Sequence, residues 1–150
     1  MQGARSDDLA MRVWFRLIRL ESRLAAAVGE GLREINLSVP QCDVLTTLTE
    51  AEGVSQQALA QRLYVTKGNI SGLLDRLETA GLVERRSTAV DRRSYEIHLT
   101  PAGREAAMRA IAIQQDLIRA TFGRMAAPDL ESMERMLVTL RDFLRKRDKV

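Results

Sequence analysis

A mainly α fold with one small two-stranded β-hairpin is what this 150-residue sequence predicts. Three observations carry it. Apolar residues recur at spacings of three and four over long stretches at both ends. Cap and turn residues cut the middle into short helices. The period then switches once to alternation, after Gly81, and returns to helical spacing at Pro101.

A first long helix is read over residues 9–35, where Val13, Leu17, Leu20, Leu24 and Ala27 or Val28 form one apolar seam with charged flanks. Ser38 followed by Gln41 has the form of a capping box, and Pro40 suits a first turn, so a second helix runs over about 39–51 with Val44, Leu45 and Leu48 inward. Gly53 ends it. Ser55 caps a short helix holding Leu59, Ala60 and Leu63; Thr66 caps the next, in which Ile70, Leu73, Leu74 and Leu77 fall at i, i+3, i+4 and i+7. Gly81 is a C-cap signal. Leu82–Ser87 and Ser94–Leu99 are two extended runs, the second placing Tyr95, Ile97 and Leu99 opposite to Glu96 and His98, with a polar tip over 88–93. Thr100 and Pro101 open a long helix to about 125. Pro128 and Asp129 open the last one, with Leu130, Met133, Leu137, Leu140 and Leu144 on its seam.

Composition removes several functional classes. At 45% hydrophobic and 29% charged the chain suits one compact domain with its own core. No run of 18 apolar residues is free of charge, and Arg5, Asp7, Asp8, Arg12, Arg16 and Arg19 occupy the region where a signal peptide needs an apolar core, so a cytoplasmic protein without a membrane partner is expected. One cysteine, Cys42, and one histidine, His98, build no disulfide framework, zinc site or Ser-His-Asp triad. No catalytic residue, metal or cofactor is expected. The net charge of +3 is a weak pointer to nucleic acid, and the thirds of the chain barely differ in charge balance, so placement of the charges carries the argument.

That placement is informative. Two short helices joined by a tight turn and followed directly by a hairpin make a winged helix-turn-helix, whose second helix enters the major groove while the hairpin reaches along the backbone. With its apolar residues inward, that helix shows Lys67, Gly68, Asn69, Ser71, Gly72, Asp75 and Arg76 outward, mixing phosphate-capable cations with amide and hydroxyl readers. Gly68 and Gly72 each cost a helix about 1 kcal/mol relative to alanine, which suggests close approach by a partner, although an ordinary solvated face would also carry these residues. On the hairpin, Arg85 and Arg86 on one strand and Arg92 and Arg93 at the tip converge, and Asp91 can brace one guanidinium while another is presented to a narrow minor groove. A merely solvated surface gains nothing from arginines gathered at a tip.

The stretches PQCDVLTTL, VSQQALAQRLYVTKGNISGLLDRLETAGLVERR and DRRSYEIHLTPAGR resemble the MarR-type winged-helix regulators, the last through a D-x-R followed by L-T-P-x-G-R. Those motifs span about residues 40–104, and the flanking helices match the family's layout. The resemblance implies a winged helix-turn-helix flanked by long dimerisation helices. It implies one domain over 1–150, with 1–37 and 101–150 as dimerisation helices and 38–100 as the DNA-binding lobe. It also implies an obligate homodimer on a pseudo-palindromic operator in double-stranded DNA, a repressor released by a small-molecule effector. Carried over by position, Ser55, Gln56 and Gln57 approach phosphates. Thr66, Lys67, Asn69, Ser71 and Arg76 serve the recognition helix, and Arg93 enters the minor groove braced by Asp91.

Cys42 departs from the aromatic residue common at its position in the family, and the smaller side chain could leave space where the first, second and fifth helices meet, near the family's effector sites. Two readings stand: a buried structural cysteine, or a thiolate sensor whose pKa a helix start would lower. Trp14 reads as an interface or core anchor, with an effector-pocket wall as the other option. His98 reads as a partly exposed strand residue, and the methionines as core fill. The competing functions are a redox-sensing repressor acting through Cys42 and a dimerisation or adaptor module that has lost DNA binding.

Overall fold

The computed structural model describes residues 2–87 and 95–147. Its elements are α1 (Gln2–Arg33), α2 (Val39–Glu50), β1 (Val54–Ser55), α3 (Gln56–Leu63), α4 (Lys67–Thr79), β2 (Val83–Ser87), β3 (Tyr95–Leu99), α5 (Pro101–Ala120), a 3-10 turn (Phe122–Arg124) and α6 (Ala127–Arg147). The helices follow in the expected order, although α1 begins at Gln2 instead of 9 and ends at Arg33 instead of 35, and α2 ends at Glu50, before Gly53. Ser38 Oγ accepts from Gln41 N at 3.4 Å while Ser38 N donates to Gln41 Oε1 at 2.9 Å, the reciprocal box that starts α2. α5 stops at Ala120, short of the expected 125, because the chain tightens into the 3-10 turn before α6 begins.

The hairpin gains a third strand. β2 and β3 pair antiparallel in the register Val83↔Leu99 to Ser87↔Tyr95, and β1 adds to the other edge of β3 through Val54↔Ile97 and Ser55↔Glu96. Two residues are too few to show alternation. β1 arises because Gly53, at φ 78, turns the chain back along β3 and donates to Ile97 O at 3.0 Å, and because Ser55 must be extended to cap α3.

The chain divides into two compact units, Met1–Gln114 and Gln115–Val150. The first holds the core: Val44, Leu45 and Leu48 of α2, Leu59 of α3, Ile70, Leu74 and Leu77 of α4, and Val83 and Ile97 of the sheet are essentially without solvent contact. Leu32 at the end of α1 and Ala107 and Ala110 of α5 belong to the same core. Small residues permit this: a Cβ on Gly31 would lie 2.6 Å from Ile113 Cγ2. The second unit, by contrast, has no buried residue on α6 among those described. Four methionines, Met11, Met108, Met125 and Met136, are exposed, which corrects their reading as core fill.

Candidate nucleic-acid interface

The recognition element is α4, and its orientation follows from its sequence. Ile70, Leu73, Leu74 and Leu77 are buried, which turns Lys67, Asn69 and Arg76 outward and leaves Ser71 half-buried at the margin. Thr66 caps the helix: its Oγ1 accepts from Asn69 N at 3.2 Å. Ser55 does the same for α3, accepting from Ala58 N at 3.1 Å. Each hydroxyl is thus committed as an acceptor and keeps its proton, so both can still donate to a phosphate oxygen. Gln57 is exposed on the first turn of α3 and Gln56 half-buried. Among the described residues a Cβ at Gly68 or Gly72 would meet nothing within 4 Å, so their packing gives no reason for glycine at either position.

The arginines of the hairpin divide. Arg85 was expected on its strand to face DNA with the other three, and the structure corrects this. Its side chain is only 16% exposed, bonded through Nη2 to Asp75 Oδ1 at 2.6 Å and through Nη1 to Glu78 Oε2. Nη2 also lies 3.5 Å from Ser71 O, and Arg85 N donates to Glu78 Oε1 at 3.2 Å. Burial alone would draw the guanidinium pKa down, but the bonds to Asp75 and Glu78 outweigh it and hold the pKa above its ordinary value. Arg85 is therefore a brace from β2 to α4, and Asp75, read as an outward residue, is its anchor. Alternation explains the split: Arg85 lies opposite Ile97 on the face toward α4, whereas Arg86 stays exposed and pairs with Glu84. Asp91, Arg92 and Arg93 lie outside the described residues.

The hairpin base is tied to α5. Thr100 Oγ1 donates to Gly81 O at 2.6 Å and accepts from Gly103 N at 2.9 Å, capping α5 against the end of α4. A Cβ on Gly103 would sit 1.7 Å from Leu82 O, so only glycine lets the helix start this close to the strand. Glu52 joins the same junction, accepting from Leu99 N at 3.0 Å and from Arg104 Nη2 at 2.9 Å. The Arg104 bond is the main reason its carboxyl pKa lies below the ordinary value, against the effect of burial. His98, half-buried as expected, stands 3.4 Å from Glu96 and 3.9 Å from Glu52. Sequence reasoning used L-T-P-x-G-R for its resemblance and for the Thr100–Pro101 start of α5, which the Thr100 cap bears out. It missed the roles of Gly103, Glu52 and Glu78, whose partners are distant in the chain; only the glycine after a helix-starting proline hinted at a close approach.

Cys42 is fully buried, and Gln114 Nε2 stands 3.5 Å from its Sγ. Burial first, and the Asp43 carboxylate second, push its thiol up to about 11, the opposite of what a thiolate sensor needs. The expected lowering by the helix start is overridden, and the structural reading is favoured. Trp14 is 57% exposed on α1, which corrects the core-anchor reading and is compatible with both the interface and the pocket-wall ones. Among the described residues, no helix is long and apolar enough to cross a membrane.

The chain is similar in sequence and fold to known proteins. The profile of the MarR family matches residues 35–94. An HTH-type transcriptional repressor of Mycobacterium tuberculosis is 31% identical over 126 residues, covering 84% of this chain and 91% of that protein. CouR from Rhodococcus jostii, solved bound to p-coumaroyl-CoA, is 30% identical with a TM-score of 0.77 over 85% of this chain and 90% of its own. A mutant MarR from Escherichia coli complexed with operator DNA is 25% identical with a TM-score of 0.76, over 83% of this chain and 91% of its own.

Proposed function

The chain belongs to the MarR family of DNA-binding transcriptional regulators, and from that premise we propose that it acts as a homodimeric repressor. It places two copies of α4 in successive major grooves of a pseudo-palindromic operator, about 34–36 Å apart, and is released by a small-molecule effector. The observation that carries this reading is α4 itself: one face locked into the core, the other offering Lys67, Asn69, Ser71 and Arg76 with two glycines that no packing among the described residues requires. Residues 38–100 form the reading lobe, with 1–37 and 101–150 as the dimerisation helices.

In this reading Ser55, Gln56, Gln57 and Thr66 meet phosphates, Asn69 and Ser71 meet base edges, and Arg86, Arg92 and Arg93 grip the backbone and minor groove, with Asp91 bracing Arg93. The mycobacterial repressor supports the direction of regulation and the ligand held by CouR supports an effector. Dimerisation is supported by the exposed apolar residues of α1 and α6, among them Trp14, Ile18, Leu137 and Phe143. The test is an affinity pair. Asn69→Ala should cost about 1–3 kcal/mol on the selected operator and little on random duplex. Equal weakening on both would assign Asn69 to the backbone instead of the bases, and no change on either would remove it from the interface.

A further inference from the structure

We propose that Tyr64, in the turn between α3 and α4, is a DNA-contacting residue whose phenol meets a backbone phosphate and its sugar beside the groove that α4 enters. The inference rests on the DNA-reading function proposed above and extends its footprint. Among the described residues, four have positive φ: Asn36 at 55°, Gly53 at 78°, Tyr64 at 54° and Gly81 at 71°. Glycine and asparagine are the residues that accept this region readily. A bulky aromatic there is an outlier, and an outlier points to function when nothing local accounts for it.

The turn needs the left-handed conformation but not the ring. Val65 N donates to Ala60 O at 3.1 Å and Tyr64 N to Gln61 O at 3.3 Å, closing α3 and aiming the chain at the Thr66 cap of α4; glycine or asparagine would serve equally. Tyr64 is 82% exposed, the most exposed of the large hydrophobic residues described, and its hydroxyl bonds no described residue.

Its surroundings indicate the partner. Tyr64 lines a groove of about 470 Å³ with Gln57, Ala60, Gln61, Val65 and Lys67. Gln57 and Gln61 stand at i and i+4 on one side of α3, Tyr64 follows its last turn, and Lys67 opens α4. Amides, a phenol and an ammonium with no carboxylate suit a polyanion, and Lys67 makes the groove continuous with the α4 reading face. The phenol O–H donates to a phosphate oxygen while the ring packs on the sugar. Being neutral, tyrosine releases no counterion.

The experiment uses the full chain and the duplex it enriches from a random library of about 30 base pairs, long enough for two half-sites. Affinity is read by fluorescence anisotropy across a salt series, with the melting temperature of each variant. Tyr64→Phe is expected to weaken binding about 2–10-fold with an unchanged salt slope, whereas Lys67→Gln lowers the slope by about one per protomer. Tyr64→Asn is expected to raise the melting temperature while weakening binding at least as much as Tyr64→Phe. Parental affinity in both Tyr64 variants, with Lys67→Gln impaired, would overturn the tyrosine contact and leave the DNA-reading function standing. Enrichment of no duplex by the parent chain would overturn both.

Discussion

Helices α4 and α6 are written in the same code and end in opposite environments. Each repeats leucine or isoleucine at spacings of three and four. In α4, Ile70, Leu74 and Leu77 are fully buried, whereas in α6 Leu137, Leu140 and Leu144 are 46%, 44% and 52% exposed. A periodic stripe specifies which face seeks cover; it does not say whether the cover lies in the same chain. α4 finds its own in α2, α3 and β2. α6 is left with an apolar face of the kind that marks an interaction surface.

The largest test of this contrast removes the cover expected for α6. Leu137→Glu with Leu144→Glu should turn a dimer into a monomer in light scattering and lower operator affinity by about 100-fold or more, since two linked half-sites bind far more tightly than one. A double variant that stays dimeric would break the comparison by showing that α6 is not where the copies meet.

A smaller effect sharpens it. Leu74→Ala should lower unfolding stability by about 2–5 kcal/mol through the cavity it leaves, with a melting temperature shift that does not depend on protein concentration. Leu140→Ala should give a shift that shrinks as concentration rises, because association compensates for it. Identical concentration dependence in both would mean that the two helices are covered in the same way.

The smallest effect is confined to the unit that contains α4. Glu52 has its carboxyl pKa lowered from 4.5, chiefly by the Arg104 hydrogen bond. Its contribution is therefore complete above about pH 4.5 and is lost as pH falls through the lowered folded value. Between pH 6 and pH 3 the parent should lose more thermal stability than Glu52→Gln, by less than about 1 kcal/mol because Arg104 is largely solvated. Equal acid sensitivity would remove Glu52 from the junction.

The residues that were legible in the sequence owe their structure to neighbours a few positions away. Ser38 and Gln41 announce α2 because a capping box closes over three residues. Ile70, Leu73, Leu74 and Leu77 announce the buried face of α4 because helical geometry alone stacks them, and with that face assigned, Lys67, Asn69 and Arg76 had to point away from the core. The candidate reading surface followed from the same periodicity. Tyr64 escaped notice because φ cannot be read from residue identity, and β1 because two residues carry no period.

What the tertiary structure decided is every role set by contacts across long separations. Arg85 looked like one of a group of DNA-facing arginines until β2 folded beside α4 and Asp75 and Glu78 took its guanidinium. Cys42 looked open to activation by a helix start until burial raised its thiol instead. Gly103 and Glu52 acquired their purposes only when α5 began against the Leu82 carbonyl. Periodicity and caps are local and therefore written in the sequence; the competition between desolvation and a charged partner depends on which groups arrive from elsewhere, and only the folded chain determines that.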